Sequence, residues 1–577
     1  MVKQNSKLSR YIPILQWGLN YQAADLVGDI TAGIIVTSLL IPQSMAYAML
    51  ANLPPQMGLY ASILPLLLYG IFGSSKGLAV GPAAVDSLIV GVGLLQFGTR
   101  DTPEFFLLAI SLAMLVGLLQ ILMGVLRLGF IVNFLSYPVL SGFLNAAALT
   151  IILSQLQHIF GVQLPRSENF FIGVYDLLQR LNQINLVALL LGLSSIGLLL
   201  GFQNKLAHFL QRRSLNPAVI LPITKAGPLV VVILGIFVAW LFKLDQVAGI
   251  KVVGEIPQGL PDLALPSFSG EIARELLPLA LILSLVGFVE CIATAKSLAS
   301  QQGQDVDANQ ELIAVGMANL GSSLTGGYPV AGGLSRSVVN FSAGAKTNLS
   351  SMITAVLIAI TIIFLTPLLY YLPQACLAGM IIVAASQLVK PRIVQSLWQY
   401  YKPDAISFFV TFIVVLVAGI EKGILAGVIV AIALYLWQTS QPRIVVVGRI
   451  GESEHFRSVK RYEVQTCPHV LAVRVDESLY FANTKALETY LIQAVAQNPE
   501  IEHLLLICSG INFIDGSALV TLKKLVTDLA HRNIKFYLAE VKGPVMDGLQ
   551  RGGFVEYLGS DRVFLSTDCA MKALECV

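Results

Sequence analysis

The stretch YPVAGGLSRSVVN, residues 328–340, places one arginine, Arg336, among glycines, serines and valines inside a long apolar region. A guanidinium keeps its charge at physiological pH, so a buried one needs compensating partners. The glycines weaken a regular helix and favour a break in the apolar segment. We therefore interpret the stretch as the start of a short helix, with Arg336 about one turn inside it.

The apolar region around this stretch covers most of the chain. Of the 577 residues, 55% are hydrophobic and only 12% are charged, which is outside the range of soluble domains. Apolar runs long enough to span a bilayer follow one another over residues 29–440, and we count about twelve to fourteen. The clearest are residues 105–126, 185–202, 228–243 and 405–419. The fold class expected is an α-helical polytopic membrane protein.

Charge and motif content exclude several function classes. The net charge is +3 and no block of lysine and arginine appears, so no nucleic-acid partner is expected. The six cysteines form no C-x-x-C pair and predict unligated thiols, with no metal site. No H-E-x-x-H, G-x-S-x-G or helix-opening G-x-G-x-x-G motif is present. We expect neither an enzyme nor a cofactor.

The character of the chain changes after Pro442, where charges become frequent and apolar runs become short. Residues 469–475, 503–509 and 535–540 are predicted to be buried strands, and residues 516–532 an amphipathic helix. Alternating strands and helices indicate a small α/β domain. The domains expected are therefore residues 1–28, 29–440 and 441–577.

The N-terminal segment, residues 1–28, carries Lys3, Lys7 and Arg10 but no continuous apolar stretch of the kind found in a signal peptide. By the positive-inside rule this segment is expected to be cytoplasmic.

The membrane region contains a repeat with an offset of about 250 residues. PQSMAYA at 42–48 aligns with VECIATA at 289–295, so that Gln43 falls on Glu290 and Tyr47 on Thr294. GSS recurs at 73–75 and 321–323, and the breaks VGPAA at 80–84 and VAGGLS at 330–335 follow. Paired interrupted segments are typical of transporter binding sites, because two half-helix starts offer free N–H groups to an anion. Simple kinks in ordinary spans remain the alternative.

Several polar residues at these breaks are candidates for the site. Arg336 would add positive charge behind the helix start while Ser335 and backbone N–H groups bind the substrate, or it would pair with Glu290 or Asp86. Glu290 is a candidate for proton coupling; alternatively it binds Na⁺ together with Thr294, or is a permanent ion-pair partner.

Gln43 and Tyr47 follow Pro42 at a spacing of four residues, so both can face one cavity or make an interhelical hydrogen bond. Asp86 follows the Gly81-Pro82 break by one turn. It would cap its own helix or balance the charge of Arg336, and both alternatives stay open.

At these positions the chain resembles the SulP family of sulfate permeases and related anion transporters. The resemblance rests on residues 28–62, on AVGPAAV at 79–85, on GFVECIATAKS at 287–297 and on GGLSRSVVNFSAGAKT at 332–347. It implies fourteen membrane segments in two inverted seven-segment repeats, at about 29–245 and 272–440, arranged as a core domain and a gate domain.

The resemblance also implies the residues of the site. The anion is expected between the third and tenth segments, near Ala83 and the stretch Gly333, Leu334 and Ser335, with Gln43 and Tyr47 from the first segment and Arg336 behind. Glu290 matches the glutamate of proton-coupled members, whereas Na⁺-dependent bicarbonate members carry aspartate there. Asp86 departs from the apolar residue of the family pattern.

The C-terminal region resembles a STAS domain. INFIDGSALVTL at 511–522 matches the loop in which bacterial relatives carry a phosphorylatable serine directly after the aspartate. Here Gly516 takes that place and Ser517 follows it, and an N-cap by Asp515 explains the same residues.

Our hypothesis from the sequence is a secondary active transporter that moves an inorganic anion, most simply sulfate, with H⁺ by elevator-like alternating access. Bicarbonate or chloride transport, by Na⁺ symport or exchange, is the alternative. A membrane-anchored STAS signalling protein is the alternative from another class. The resemblance further implies a homodimer in the inner membrane, with a cytoplasmic STAS domain that is open to a protein partner.

Overall fold

The computed structural model describes residues 11–99, 102–130, 136–164, 169–206, 224, 226–263, 270–300 and 306–576. The predicted N-terminal segment is thus described from residue 11 onward, and Lys3, Lys7 and Arg10 lie outside the described residues. The chain divides into two compact units, Met1–Ile429 and Val430–Val577, and the division falls inside the last apolar helix.

In the first half of the membrane unit the apolar runs form helices, because a helix satisfies its backbone polar groups internally where water is absent. The elements in chain order are α1 Ala23–Leu50, α2 Pro55–Tyr60, α3 Leu64–Phe72, β1 Val80–Gly81, α4 Ala84–Gly93, α5 Pro103–Val125, α6 Tyr137–Phe160, α7 Phe170–Gln179, α8 Leu186–Leu200 and α9 Gly227–Leu241.

The second half repeats this order of long helix, helix, short strand and short helix. Its elements are α10 Gly270–Ser300, α11 Ala308–Leu324, β2 Ala331–Gly332, α12 Leu334–Ser342, α13 Leu349–Phe364, α14 Gln374–Ser386, α15 Pro391–Tyr400, α16 Lys402–Ala418 and α17 Ile420–Thr439. The four clearest predicted spans correspond to α5, α8, α9 and α16.

Within the described residues, eight helical segments are long and apolar enough to cross a membrane, and shorter apolar helices lie between them. The number of segments fits the predicted seven in each half when α2 is joined to α3, each short strand is joined to the helix that follows it, and the ten-residue helices α7 and α15 are not counted. The short members α4 and α12 occupy the third place of their halves, as the repeat predicts.

The helices of the membrane unit pack in two groups, and each group draws on both halves of the chain. In one group α5 packs on α10 and α11, α3 on α11, and α1 on α12 and α13. In the other α6 packs on α14 and α16, and α8 on α9 and α14. These groups correspond to the core and gate domains that the resemblance implies.

The two breaks of the repeat pair with each other. Strands β1 and β2 are antiparallel, with Val80 opposite Gly332 and Gly81 opposite Ala331. Gly81 and Ala331 are themselves equivalent positions of the repeat, so equivalent residues meet each other as they do at a local two-fold axis. The prediction that both breaks precede helix starts is confirmed, since α4 and α12 begin directly after them.

The C-terminal unit contains a six-stranded sheet with the order β4-β3-β5-β6-β7-β8. β5 to β8 run parallel, and β3 and β4 are added antiparallel at one edge. The strands are β3 Ile444–Arg449, β4 Phe456–Ser458, β5 Val470–Val475, β6 His503–Ile507, β7 Lys535–Ala539 and β8 Val563–Phe564. The helices are α18 Thr484–Ala496, α19 Gly516–Ala530, α20 Gly543–Arg551, α21 Phe554–Leu558 and α22 Thr567–Ala573.

The three strands and the helix predicted for this unit are confirmed as β5, β6, β7 and α19. Asp515 caps α19, because its Oδ1 accepts a hydrogen bond of 2.7 Å from the Ala518 N–H and its Oδ2 one of 2.9 Å from the Phe481 N–H. The N-cap interpretation of this loop is thus confirmed.

The prediction of six unligated cysteines is wrong for two of them. Cys467 and Cys576 form a disulfide, with Cα atoms 5.7 Å apart, whereas Cys291, Cys376, Cys508 and Cys569 are free. The bonded pair is separated by 109 positions, and such a distant pair leaves no spacing motif in the sequence.

Candidate functional site

Helices α4 and α12 begin side by side, directly after the paired strands β1 and β2. Their N-cap residues are Ala83 and Gly333, both with extended backbones, and neither provides a side-chain cap. The first N–H groups of a helix lack intrahelical acceptors and carry the positive end of the helix dipole. Both helix starts are therefore available to an external acceptor, and an anion satisfies this need.

Arg336 links the two breaks through backbone carbonyls. It is the third residue of α12 and is only 2% exposed. Nε donates to the Ala79 carbonyl at 3.0 Å, and Nη2 donates to those of Gly81 at 2.7 Å and Ala331 at 2.9 Å. Nη1 donates to the Pro82 carbonyl. Four carbonyl dipoles thus solvate the guanidinium, and it forms no ion pair with a described carboxylate.

Asp86 occupies the corresponding place in the other half, as the third residue of α4. It is also 2% exposed, and neither carboxyl oxygen has a hydrogen-bond partner among the described residues. A Cβ at Gly287 would lie 3.4 Å from Asp86 Oδ1, so α10 approaches this carboxyl closely through a glycine. The predicted cap by the Asp86 side chain does not form, because neither of its oxygens accepts a hydrogen bond from a described residue.

Glu290 lies on α10, about one turn after Gly287. It is half-buried, and its shielded Oε2 has no hydrogen-bond partner among the described residues. Asp86, Glu290 and Arg336 are close enough for their charges to interact. The structure therefore brings together the three charged residues that the sequence selected, without a direct ion pair between them.

A narrow cavity of about 50 Å³ reaches the start of α12. Leu39 and Gln43 from α1 and Ser335 from α12 line it on one side. The other lining residues come from the group of helices that contains α8, α9 and α14, and from the segments that adjoin them: Leu199, Phe202, Gln203, Thr224, Gly227, Pro228, Met380, Val383, Ala384 and Gln387. The cavity therefore lies between the two groups of helices.

The remaining predicted site residues do not line this cavity. Tyr47, Ala83 and Thr294 are buried, Gly333 is half-buried, and Leu334 is exposed. Tyr47 follows Gln43 by one turn of α1, and Thr294 follows Glu290 by one turn of α10.

A second cavity, of about 920 Å³, flanks the opposite end of α1 near Met49 and Pro54. Polar side chains that line it include His158, Lys251 and Glu255. None of the residues predicted for the site lines this cavity.

Sequence reasoning missed a buried polar network that positions β2. The Asn319 amide donates to Gln120 Oε1 and to the Val330 carbonyl, both at 3.0 Å, and Asn319 Oδ1 accepts from the Val330 N–H at 2.8 Å. Tyr328 Oη and Ser87 Oγ are 3.0 Å apart. Polar side chains in apolar segments were the available signal, but their partners are distant in sequence.

Two buried carboxylates that the sequence did not single out hold loops of the opposite half. Glu311 accepts hydrogen bonds from Tyr69 Oη at 3.0 Å and from the N–H groups of Ser74 at 2.9 Å and Ser75 at 3.0 Å. Asp29 accepts from the Lys346 N–H at 2.7 Å and from Thr347 Oγ1 at 2.6 Å. Both carboxylates are fully partnered, in contrast to Asp86, and their role is structural.

Comparison with known proteins agrees with this architecture. The family described as "Sulfate permease family" matches residues 26–411, and "STAS domain" matches residues 461–570. The chain is 35% identical to "Sulfate transporter 4.1, chloroplastic" of Arabidopsis thaliana over 97% of this chain and 82% of that protein. It is 31% identical to "High affinity sulfate transporter 2" of Stylosanthes hamata, over 97% and 85%.

Among solved structures, the murine Slc26a9 anion transporter in the inward-facing state superposes with a TM-score of 0.91 at 27% identity, over 100% of this chain and 96% of that one. The match extends over both the membrane unit and the α/β unit. The chain therefore belongs to the sulfate permease family of anion transporters and carries a C-terminal STAS domain.

Proposed function

We propose that this protein is a secondary active transporter of sulfate that uses H⁺ symport and elevator-like alternating access. One observation carries the anion site: two helix starts, at the buried Ala83 and the half-buried Gly333, that lack side-chain caps and lie beside each other. Dipoles and N–H groups of both helices favour an anion there.

The substrate is proposed to be sulfate because of the donors and the relatives. A tetrahedral dianion has enough acceptor oxygens to engage both helix starts, Ser335 Oγ and the Gln43 amide together. Relatives at 31–35% identity are named as sulfate transporters. Chloride or bicarbonate remains the alternative substrate, and competition against labelled sulfate distinguishes them.

Glu290 is proposed as the proton-coupling residue. Its side chain is partly exposed, while its shielded Oε2 is unpartnered among the described residues. An ionised carboxylate near the site opposes anion binding, and a bound proton removes that repulsion. Loading of a proton and loading of the anion therefore support each other. Na⁺ binding by Glu290 and Thr294 is the alternative coupling.

The position of the cavity supports the elevator-like mechanism. Gln43 and Ser335 belong to one group of helices, and the residues that face them belong to the other. Movement of the first group along the second would carry the anion with it, while both groups keep their internal packing. We further propose a homodimer in the inner membrane, with the N-terminus and the STAS domain in the cytoplasm and the STAS domain available to a protein partner.

Uptake of labelled sulfate into proteoliposomes tests the proposal. The wild-type protein should accumulate sulfate when an inward proton gradient is imposed, and Na⁺ should have no effect. Glu290→Gln should abolish this accumulation and retain sulfate exchange, because the neutral amide resembles the protonated acid. Glu104→Gln, at an exposed position in the first turn of α5, is the matched control.

Three results would contradict the proposal. Accumulation driven by Na⁺ but not by the proton gradient would overturn the coupling ion. Proton-driven accumulation by Glu290→Gln would show that Glu290 is structural. Stronger inhibition of labelled-sulfate uptake by chloride or bicarbonate than by unlabelled sulfate would overturn the substrate.

A further inference from the structure

Asp86 is a buried carboxyl that the function proposed so far does not use. It is 2% exposed, and neither of its oxygens has a hydrogen-bond partner among the described residues. The buried carboxylates Asp29 and Glu311 accept several hydrogen bonds each, so the fold does supply partners to other buried carboxyl groups. Burying an unpartnered carboxylate is costly, and a bound proton removes the charge.

We propose that Asp86 is a second proton-binding residue, so that Asp86 and Glu290 together carry two protons with each sulfate ion. This inference rests on the proposed function, since it assumes proton-coupled sulfate transport. On loading, each carboxylate takes one proton from solution on the side from which sulfate enters. Each carboxyl releases its proton on the other side, and no covalent bond to the anion forms.

The surroundings of Asp86 contain one permanent positive charge. The titratable and charged groups that interact with it come from the elements around α4: Glu290 and Cys291 of α10, Arg336 of α12, and Tyr328 before β2. Tyr47 of α1, a helix that also packs on α4, interacts with Glu290 and Arg336. The helix α6 also packs on α4, and its titratable side chains, Tyr137 and His158, stand in its first and last turns.

Arg336 does not neutralise Asp86 by direct contact. Its N–H groups donate to the carbonyls of Ala79, Gly81, Pro82 and Ala331, which leaves the carboxyl oxygens of Asp86 without this donor. The charge of Arg336 therefore acts on both carboxylates only through space. A fixed ion pair would hold Asp86 ionised, and its absence among the described residues leaves the carboxyl free to exchange a proton.

Glu290 gives a route for the proton. Gly287 lets α10 approach Asp86 Oδ1, and Glu290 follows about one turn later on the same helix with partial exposure. Glu290 is the less buried of the two carboxyl groups, so we expect a proton from solution to bind Glu290 before Asp86.

The charges at the site determine the electrical consequence. With both carboxylates ionised, two negative charges outweigh the one of Arg336, and the site repels a dianion. With both protonated, Arg336 remains as the only charge of the three, and the site attracts sulfate. Two protons carried with a dianion make the cycle electroneutral, whereas one proton would leave a negative charge to move across the membrane.

The equilibrium accumulation of sulfate in proteoliposomes measures the ratio of protons to sulfate ions carried in each cycle. With two protons, sulfate should accumulate about 100-fold for each pH unit of gradient, whatever the membrane potential. With one proton, accumulation should be about tenfold for each pH unit and should fall about tenfold for each 60 mV of inside-negative potential. The potential is set with valinomycin and K⁺ gradients.

The variants Asp86→Asn and Asp86→Val should carry one proton with each sulfate ion, where the wild-type protein carries two. The amide of asparagine resembles the protonated acid, and valine suits an environment that includes Gly287 and Ala331. The two variants therefore remove the same titratable carboxyl group with two different side-chain packings. Asp404→Asn, in the first turn of α16, makes the same chemical change outside this cluster and should keep the ratio of two.

The outcomes separate this inference from the proposed function. A wild-type ratio of one proton per sulfate overturns the inference about Asp86, whether or not the variants fold. A ratio of two protons per sulfate in either Asp86 variant also overturns this inference. Those results leave proton-coupled transport intact as long as Glu290→Gln abolishes accumulation. If the wild-type protein ignores the proton gradient altogether, the proposed function itself fails.

Discussion

Asp86 and Arg336 each stand third in a short helix, so the internal repeat places opposite charges at equivalent positions. Sequence reasoning found both residues because a charge in an apolar segment is conspicuous. It did not identify the partners of Arg336, which are the carbonyls of residues 79, 81, 82 and 331. Carbonyl acceptors occur at every residue and leave no mark in the side-chain pattern, so only the fold reveals this role.

We expect Arg336→Ala to destabilise the membrane unit as well as to weaken sulfate binding. Four carbonyls would lose their donor, at about 1–3 kcal/mol for each group left unsatisfied. Arg336→Lys keeps the charge but has three donors on one nitrogen, and it should fall between the wild type and Arg336→Ala. Thermal unfolding in detergent and a sulfate-binding titration measure the two effects.

Lys76→Ala, at an exposed position before β1, is the control for loss of a positive charge and should leave both measurements unchanged. An Arg336→Ala protein with the wild-type melting temperature and weaker binding would show instead that the arginine acts on the anion through its charge alone.

At the scale of elements, the Gly/Pro breaks predicted the two half-helices, and their starts lie where the repeat alignment placed them. The strands β1 and β2 were not predicted, because two residues are too few to show the alternation that marks a strand. The long helices were predictable from apolar length alone, whereas their grouping depends on contacts between the two halves of the chain. The two helix starts could therefore be located from the sequence, but the surface that faces them could not.

Ala83→Ser should stabilise α4 and weaken sulfate binding. A serine at this N-cap can accept a hydrogen bond from a first-turn N–H, which is worth about 1 kcal/mol to the helix and competes with the anion for that donor. We expect a higher melting temperature together with a higher dissociation constant for sulfate. Gln22→Ser adds the same type of cap to α1 at an exposed position and should leave sulfate affinity unchanged. Tighter sulfate binding by Ala83→Ser would contradict the role of the uncapped helix start.

At the scale of the whole molecule, the division into an apolar unit and an α/β unit was evident from composition. The parallel strands β5, β6 and β7 were predicted because buried strands are continuous apolar runs. The antiparallel strands β3 and β4 and the disulfide Cys467–Cys576 were missed, since antiparallel additions and distant cysteine pairs carry weaker local signals. The C-terminal unit also contains a charge cluster with a measurable pH dependence.

That cluster is formed by Glu488 of α18, which accepts hydrogen bonds from Lys485 Nζ at 2.7 Å and Lys524 Nζ at 2.9 Å. The hydrogen bonds from Lys485 and then Lys524 hold the pKa of Glu488 below its ordinary value of 4.5. A depressed pKa in the folded state means that this contribution to stability is complete above the unfolded pKa. It is lost as the pH falls through the folded pKa.

Glu488→Gln should therefore make the C-terminal unit less stable at pH 7 and make its stability less dependent on pH in the acid range below about 4.5. Hydrogen exchange of the full-length protein, followed on peptides that cover α18 and β6, measures both effects at the unit concerned. The exposed Glu500→Gln is the control. Its C-terminal unit should keep the wild-type dependence of stability on acid pH, because the other carboxyl groups contribute equally in this variant and in the wild-type protein. Equal acid sensitivity of Glu488→Gln and the wild type would show that the two lysines contribute no net stability, as is common for exposed partners in ion pairs.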